Sequence, residues 1–217
     1  MLSRIRRYEG AMRVKMKQRV GMLILCFVIA LVSGGCAEEE TTVLPALRNR
    51  TTLHSSYDKD RNLSDEQITA LLKAGFTMPT GGGQRSLDFF VVTDREPLTA
   101  MRGGNPYSQA LETAPCVIVV AADNSRAYYE ELQEMDAGLA AGAVLAQASE
   151  MELATCVLSI SPQPQRVSSV QTALHMPESY TPILMIAVGY PMVDTYSSAS
   201  VDGWDDHQIH MNSYDEK

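Results

Sequence analysis

The chain has 217 residues, with 18 Lys and Arg against 26 Asp and Glu, a formal net charge of −8. Residues 1–35 hold seven of the basic side chains and one of the acidic ones, so residues 36–217 carry 11 against 25, a net of −14. A surface this acidic lacks the clustered Lys and Arg that phosphate neutralisation needs, which argues against nucleic acid as a partner.

The chain opens on a targeting pattern. Lys17 and Arg19 form a basic region ahead of the apolar run from Gly21 to Val32, which is short for a bilayer span and is followed at once by Ser33-Gly34-Gly35. Because Cys36 comes next, Leu31-Val32-Ser33-Gly34-Gly35-Cys36 resembles a bacterial lipobox. That resemblance implies cleavage before Cys36, lipidation of Cys36, and a protein anchored by lipid to the cell envelope (outer membrane or cell surface if Gram-negative). Residues 36–46, with Glu38-Glu39-Glu40, read as an acidic tether. Residues 47–212 are then one domain, long enough for a sizeable core, and 213–217 are a tail.

The elements follow in order. A first helix is predicted near Leu44–Asn49. Ser64, followed by Asp65 and Glu66, caps a helix to about Gly75. The stretch Pro79-Thr80-Gly81-Gly82-Gly83-Gln84-Arg85 joins it to a strand at Phe89–Thr93. Three consecutive glycines favour neither helix nor strand and suit a backbone that needs unusual dihedrals or must lie against something flat. A short helix near Glu96–Met101, a helical Pro106–Thr113 and a buried strand Cys116–Ala122 come next. The longest helix is predicted from Tyr128 to Met151, then a strand Thr155–Ile160, a helix Arg166–Leu174 and a strand Ile183–Val188. Strands and helices mix without strict alternation, which indicates an α+β fold. Cys116 and Cys156 each sit in an apolar run as buried cysteines do, with a disulfide between them left open. No metal-ligand spacing occurs, and no Ser/His/Asp array or pair of carboxylates marks a catalytic centre.

Taken together these motifs resemble the nitroreductase family of FMN-dependent oxidoreductases. Arg50-Thr51-Thr52-Leu53-His54 matches its Arg-x-Ser-x-Arg/Lys opening, Pro79 to Gly83 its Pro-Ser-x-x-Asn flavin loop, and Asp136-Ala137-Gly138-Leu139 the start of its central helix. Ile186-Ala187-Val188-Gly189-Tyr190-Pro191 closes the series. The resemblance implies a central, mostly antiparallel sheet flanked by helices. It also implies a homodimer with FMN at the subunit interface, and two-electron transfer from NAD(P)H through the flavin to a nitroaromatic or quinone-like acceptor. The cofactor then carries the chemistry, and no catalytic side chain is required.

Carried over residue by residue, the resemblance makes Arg50 a phosphate ligand and gives Thr52 the place of the usual serine. His54 stands where Arg or Lys is usual, and Pro79, Thr80, Gly81, Gly83 and Arg85 form the flavin loop. The chain also departs from the pattern. Gly83 replaces an asparagine, Arg85-Ser86-Leu87 replaces Gln-Pro-Trp, Gly142-Ala143 replaces a Glu/Gln-Asn pair, and Met151-Glu152-Leu153-Ala154 replaces Leu-Gly-Leu-Gly. His210 matches a recurrent histidine of the family tail. Plainer readings stand beside these: Thr52 and Thr80 as helix caps, Arg50 in a surface ion pair, and Asp136 on a solvated acidic face with Glu130, Glu131 and Glu134. The departures leave a second reading, a lipoprotein that keeps the fold but acts as a non-catalytic binding or interaction module.

Overall fold

The computed structural model describes residues 43–192 and 205–213, and Val43 onward forms one compact unit. Cys36 and the lipobox lie outside the described residues.

The centre of the fold is a four-stranded sheet, β1 (Leu87–Val92), β2 (Cys116–Asp123), β3 (Ala154–Ser159) and β4 (Tyr180–Gly189), in the order β1-β2-β4-β3. All three pairings are antiparallel, with Leu87 opposite Ala122, Cys116 opposite Val188 and Ala154 opposite Gly189. The predicted α+β class, an antiparallel sheet flanked by helices, is the architecture observed. Every residue of β2 is buried because helices cover both faces of the sheet. The alternation of the strand sends Val117 and Val119 to one face, with Leu98, Met101 and Val170. Cys116 and Ile118 go to the other, with Leu71 and Val144. Cys116 and Cys156 fall in these two different clusters, and both are free thiols. The sheet between them rules out the disulfide.

Among the described residues five helices surround the sheet: α1 (Pro45–Arg48), α2 (Asp65–Thr77), α3 (Arg95–Gly103), α4 (Gln133–Glu150) and α5 (Pro164–Ala173). Helix α2 starts where its sequence says it should. The Ser64 hydroxyl accepts from the Gln67 N–H at 3.3 Å, and the Gln67 side chain accepts from the Ser64 N–H at 3.0 Å, a reciprocal capping box. Gly75 lets α2 lie close on the sheet, since a Cβ there would stand 2.9 Å from Phe89 Cε1 and 3.4 Å from Val144 Cγ2.

Two predicted elements are shorter than expected. The Pro106–Thr113 helix is reduced to a 3-10 turn at Gln109–Glu112. Asn105 Oδ1 accepts from the Tyr107 N–H at 3.1 Å, and the Ser108 hydroxyl donates to the Asn105 carbonyl at 2.5 Å, so side chains take the groups a helix would use. The long helix begins at Gln133, not Tyr128. Gln84 Oε1 accepts from the backbone N–H of Tyr128 at 2.7 Å and of Tyr129 at 3.2 Å, which holds that stretch against the glycine loop instead.

Candidate functional site

Arg50 to His54 forms an extended segment along the outer edge of β3. The Leu53 N–H donates to the Thr155 carbonyl at 2.9 Å and the Thr155 N–H to the Thr51 carbonyl at 3.0 Å, a parallel bridge centred on Thr52 and Thr155. This covers a strand edge that would otherwise offer unpaired backbone groups. The period of two buries Thr51 and leaves Thr52 and His54 exposed, with Arg50 half-buried. Arg50 Nη1 donates to Thr52 Oγ1 at 3.0 Å. Thr52 is therefore an acceptor for the guanidinium rather than a helix cap. Among the described residues Arg50 pairs with no carboxylate, so its other N–H groups are unspent. His54 Nδ1 lies 3.5 Å from Cys156 Sγ. Burial raises the Cys156 thiol above its ordinary pKa, which keeps that sulfur neutral beside the imidazole.

Asn49 and Thr51, on either side of Arg50, line a polar cleft of about 540 Å³ with Arg61, Glu152, Leu153 and Tyr190. Its far wall is the turn from α4 into β3. Glu152 takes φ 57°, the left-handed conformation that a glycine would adopt freely. Two amides of the turn are occupied: the Glu152 N–H donates to the Ser149 carbonyl at 3.1 Å and the Leu153 N–H to the Ala148 carbonyl at 2.9 Å.

The glycine loop belongs to the opposite end of α4. Gly81–Gly83 is a 3-10 turn with φ of 61° at Gly82 and 69° at Gly83. Asp136 holds it in place: both carboxylate oxygens accept from the Gly81 N–H, at 2.9 and 3.1 Å. Asp136 is only 1% exposed, so it is not part of a solvated acidic face. Thr80 accepts from the Arg85 N–H at 3.1 Å through its hydroxyl and does not cap a helix. Pro79, Thr80 and Arg85 line a second cavity, of about 230 Å³. Gly83 has nothing within 4 Å of where a Cβ would stand, so the loop presents open backbone there. Gly142 lies on the exposed side of α4, also with nothing within 4 Å, and away from both groups. His210 is exposed in the C-terminal stretch.

Within one chain, then, the predicted residues fall into two sets. Arg50, Thr52 and His54 lie at the C-terminal end of α4, and Pro79 to Arg85 at its N-terminal end. From Asp136 to Ser149 the helix rises about 20 Å.

Sequence reasoning missed a network beside the loop. Arg126 donates to Asp88 Oδ1 at 2.5 Å, to Asp123 Oδ2 at 2.8 Å and to the Arg85 carbonyl at 3.3 Å, while Tyr180 donates to Asp88 Oδ2 at 2.5 Å. The Ser125 hydroxyl, at 2.6 Å, does most to hold the Asp123 carboxyl below its ordinary pKa, with Arg126 adding to it. The hydrogen bond to Asp88 raises the Tyr180 phenol above its own. These residues are up to 92 positions apart and carried no local signal.

Residues 100–190 match the family model described as "Nitroreductase family". Over that stretch the chain is similar to the nitroreductase family. A relative from Archaeoglobus fulgidus, provisionally named an NADH dehydrogenase/NAD(P)H nitroreductase, is 28% identical over 156 residues, 71% of this chain and 90% of its own. A solved structure from Bacteroides thetaiotaomicron with the same provisional name is 29% identical, with a TM-score of 0.71, 80% of this chain covered and 100% of the other. An FMN-dependent nitroreductase from Clostridium difficile shares the fold at 24% identity and a TM-score of 0.69, covering 79% of this chain and all of its own. The sheet and flanking helices of this chain thus match those of both solved structures over about four fifths of its length.

Proposed function

We propose that this protein is an FMN-dependent oxidoreductase that works as a homodimer. In this reading the two ends of α4 in different copies combine into one site. The observation that carries it is Arg50, a guanidinium with unspent donors and no carboxylate partner among the described residues, beside a cleft of about 540 Å³. A planar cation in that state fits a phosphate group, which it can bind through paired N–H···O bonds. At the other end the Gly81–Gly83 turn offers a side-chain-free surface, shaped by Asp136, on which a flat ring can lie. The two sets are about 20 Å apart along α4, so one chain does not bring both to the same ligand, and a second copy is needed.

The residues fit the group unevenly. Arg50 and Thr52 suit the phosphate, and the loop suits the ring. The Glu152 and Leu153 amides, already bonded to α4 carbonyls, have nothing left to give a ring edge. When bound, the flavin would supply two-electron chemistry between a reduced donor, NAD(P)H in the family, and a nitroaromatic or quinone-like acceptor. This chain's own part is to hold the phosphate, support the ring and exclude water. The occupied turn amides and the Glu152 carboxylate in the cleft favour the second reading, a fold retained as a binding module. The lipobox pattern supports placing the protein at the cell envelope, anchored through Cys36.

The visible spectrum of the purified protein separates the two readings. A yellow protein that releases FMN on denaturation, and that holds it less well after Arg50→Ala, is expected. A colourless protein that added FMN neither colours nor stabilises would leave the binding-module reading standing.

A further inference from the structure

Beneath the glycine loop lies a cavity of about 230 Å³ formed within one chain. Phe76, Met78, Leu87, Phe89 and Ala140 supply its apolar lining, with the Phe76 and Phe89 rings 4.7 Å apart at 56°. An apolar cavity of about 150 Å³ is enough to hold benzene, so this one admits a larger flat molecule. Leu87, 7% exposed, forms part of the wall from β1.

Four charged side chains reach the cavity, and three are committed. Asp88 and Arg126 are paired with each other at 2.5 Å, and Asp136 accepts from the Gly81 N–H. Arg85 is different. Its backbone is fixed at φ 49°, unusual for a residue with a side chain, by its N–H on Thr80 Oγ1 and by its carbonyl accepting from Arg126. Yet among the described residues its guanidinium has no partner. Thr80 Oγ1 accepts that N–H and keeps its own hydrogen to donate. The result is an apolar slot with a planar cation and a hydroxyl donor beside it. A guanidinium fork matches a carboxylate, and the two acidic side chains in the walls disfavour a ligand of higher negative charge.

We propose that this cavity binds a small, flat aromatic carboxylate, its ring among Phe76, Leu87 and Phe89 and its carboxylate on Arg85 and Thr80. The site lies within one chain and goes beyond the oxidoreductase reading, with which it shares the loop residues Thr80 and Arg85.

The probe is 2-naphthoate, titrated into the whole purified protein by calorimetry, with 2-naphthamide as its uncharged counterpart and each run repeated with FMN present. Saturable binding of naphthoate with a dissociation constant of roughly 1 mM or tighter is expected for a ligand of this size. Arg85→Gln should weaken naphthoate roughly tenfold and leave naphthamide within about twofold, since only the charged head uses the guanidinium. Leu87→Trp should abolish both by filling the slot. If that variant loses its far-UV circular dichroism, Ala140→Met fills the same space from α4. Absence of saturable binding would overturn the proposal, as would binding unchanged by Arg85→Gln and by a cavity-filling variant. A protein that binds naphthoate but no FMN would sink the flavin reading alone, and the reverse result would sink this one alone.

Discussion

Asp136 is the residue on which the glycine loop depends, and removing its carboxylate is the most informative single change in the fold. It comes from the first turn of α4, is 1% exposed, and both oxygens accept from the Gly81 N–H at 2.9 and 3.1 Å. Asp136→Ala leaves that N–H without its acceptor and opens a small void. A hydrogen bond to a charged acceptor contributes about 1.5–3 kcal/mol, and an orphaned buried donor costs about 1–3 kcal/mol. Both ranges describe the same lost hydrogen bond, so Asp136→Ala costs about 2 kcal/mol. For a domain of this size that lowers the Tm by roughly 4–8 °C. Asp136→Asn keeps an acceptor without the charge and should recover about half. Thermal unfolding followed at 222 nm reads all three proteins. A drop below about 1 °C for Asp136→Ala would refute the tether, because the loop would then hold its shape without it.

Three further outcomes follow from the packing. In residues 37–217, Cys116 and Cys156 should resist maleimide at pH 8 until the protein unfolds, since both are buried and burial pushes the Cys116 thiol up to about 12; labelling of the native protein within minutes would contradict this. Gly189→Ala should destabilise by about 1–3 kcal/mol, read as a fall in urea midpoint, because its Cβ would stand 2.5 Å from Pro115 Cδ and 3.0 Å from Tyr57 Cδ1, both held rigidly in the core; an unchanged midpoint would show that those neighbours yield. The Asp123 carboxyl has a lowered folded pKa, so its stabilisation is present above the unfolded value of about 3.9 and lost as pH falls through the folded one. The difference in urea midpoint between the parent protein and Ser125→Ala should accordingly be largest near neutral pH and shrink below about pH 4, and a constant difference would assign the Ser125 contact no electrostatic role.

What could be read from the sequence was what local chemistry determines. The Ser64–Gln67 box and the apolar run of β2 each fix their own structure within a few residues, and both stand as expected. The reading went astray where distant partners compete with local propensity. Tyr128 to Leu132 has the composition of a helix start, but Gln84, 44 residues earlier, captures its first N–H groups. Asp136 looked like one acidic residue among several until Gly81, 55 positions away, gave it a partner. The split of the site between the two ends of α4 was likewise invisible, because order along a chain does not report distance across a helix.

The central claim, one flavin held by two copies, is tested by mixing two defective proteins. Arg50→Ala impairs the phosphate end, and Gly83→Phe places a ring on the open face of the loop. Each alone should bind FMN poorly. In a mixed dimer one site inherits both defects and the other neither, so unfolding and refolding them together in equal amounts should restore FMN binding to roughly a quarter of all sites. Recovery to that level is expected; a mixture that binds no more FMN than its separate components would contradict a site shared between copies.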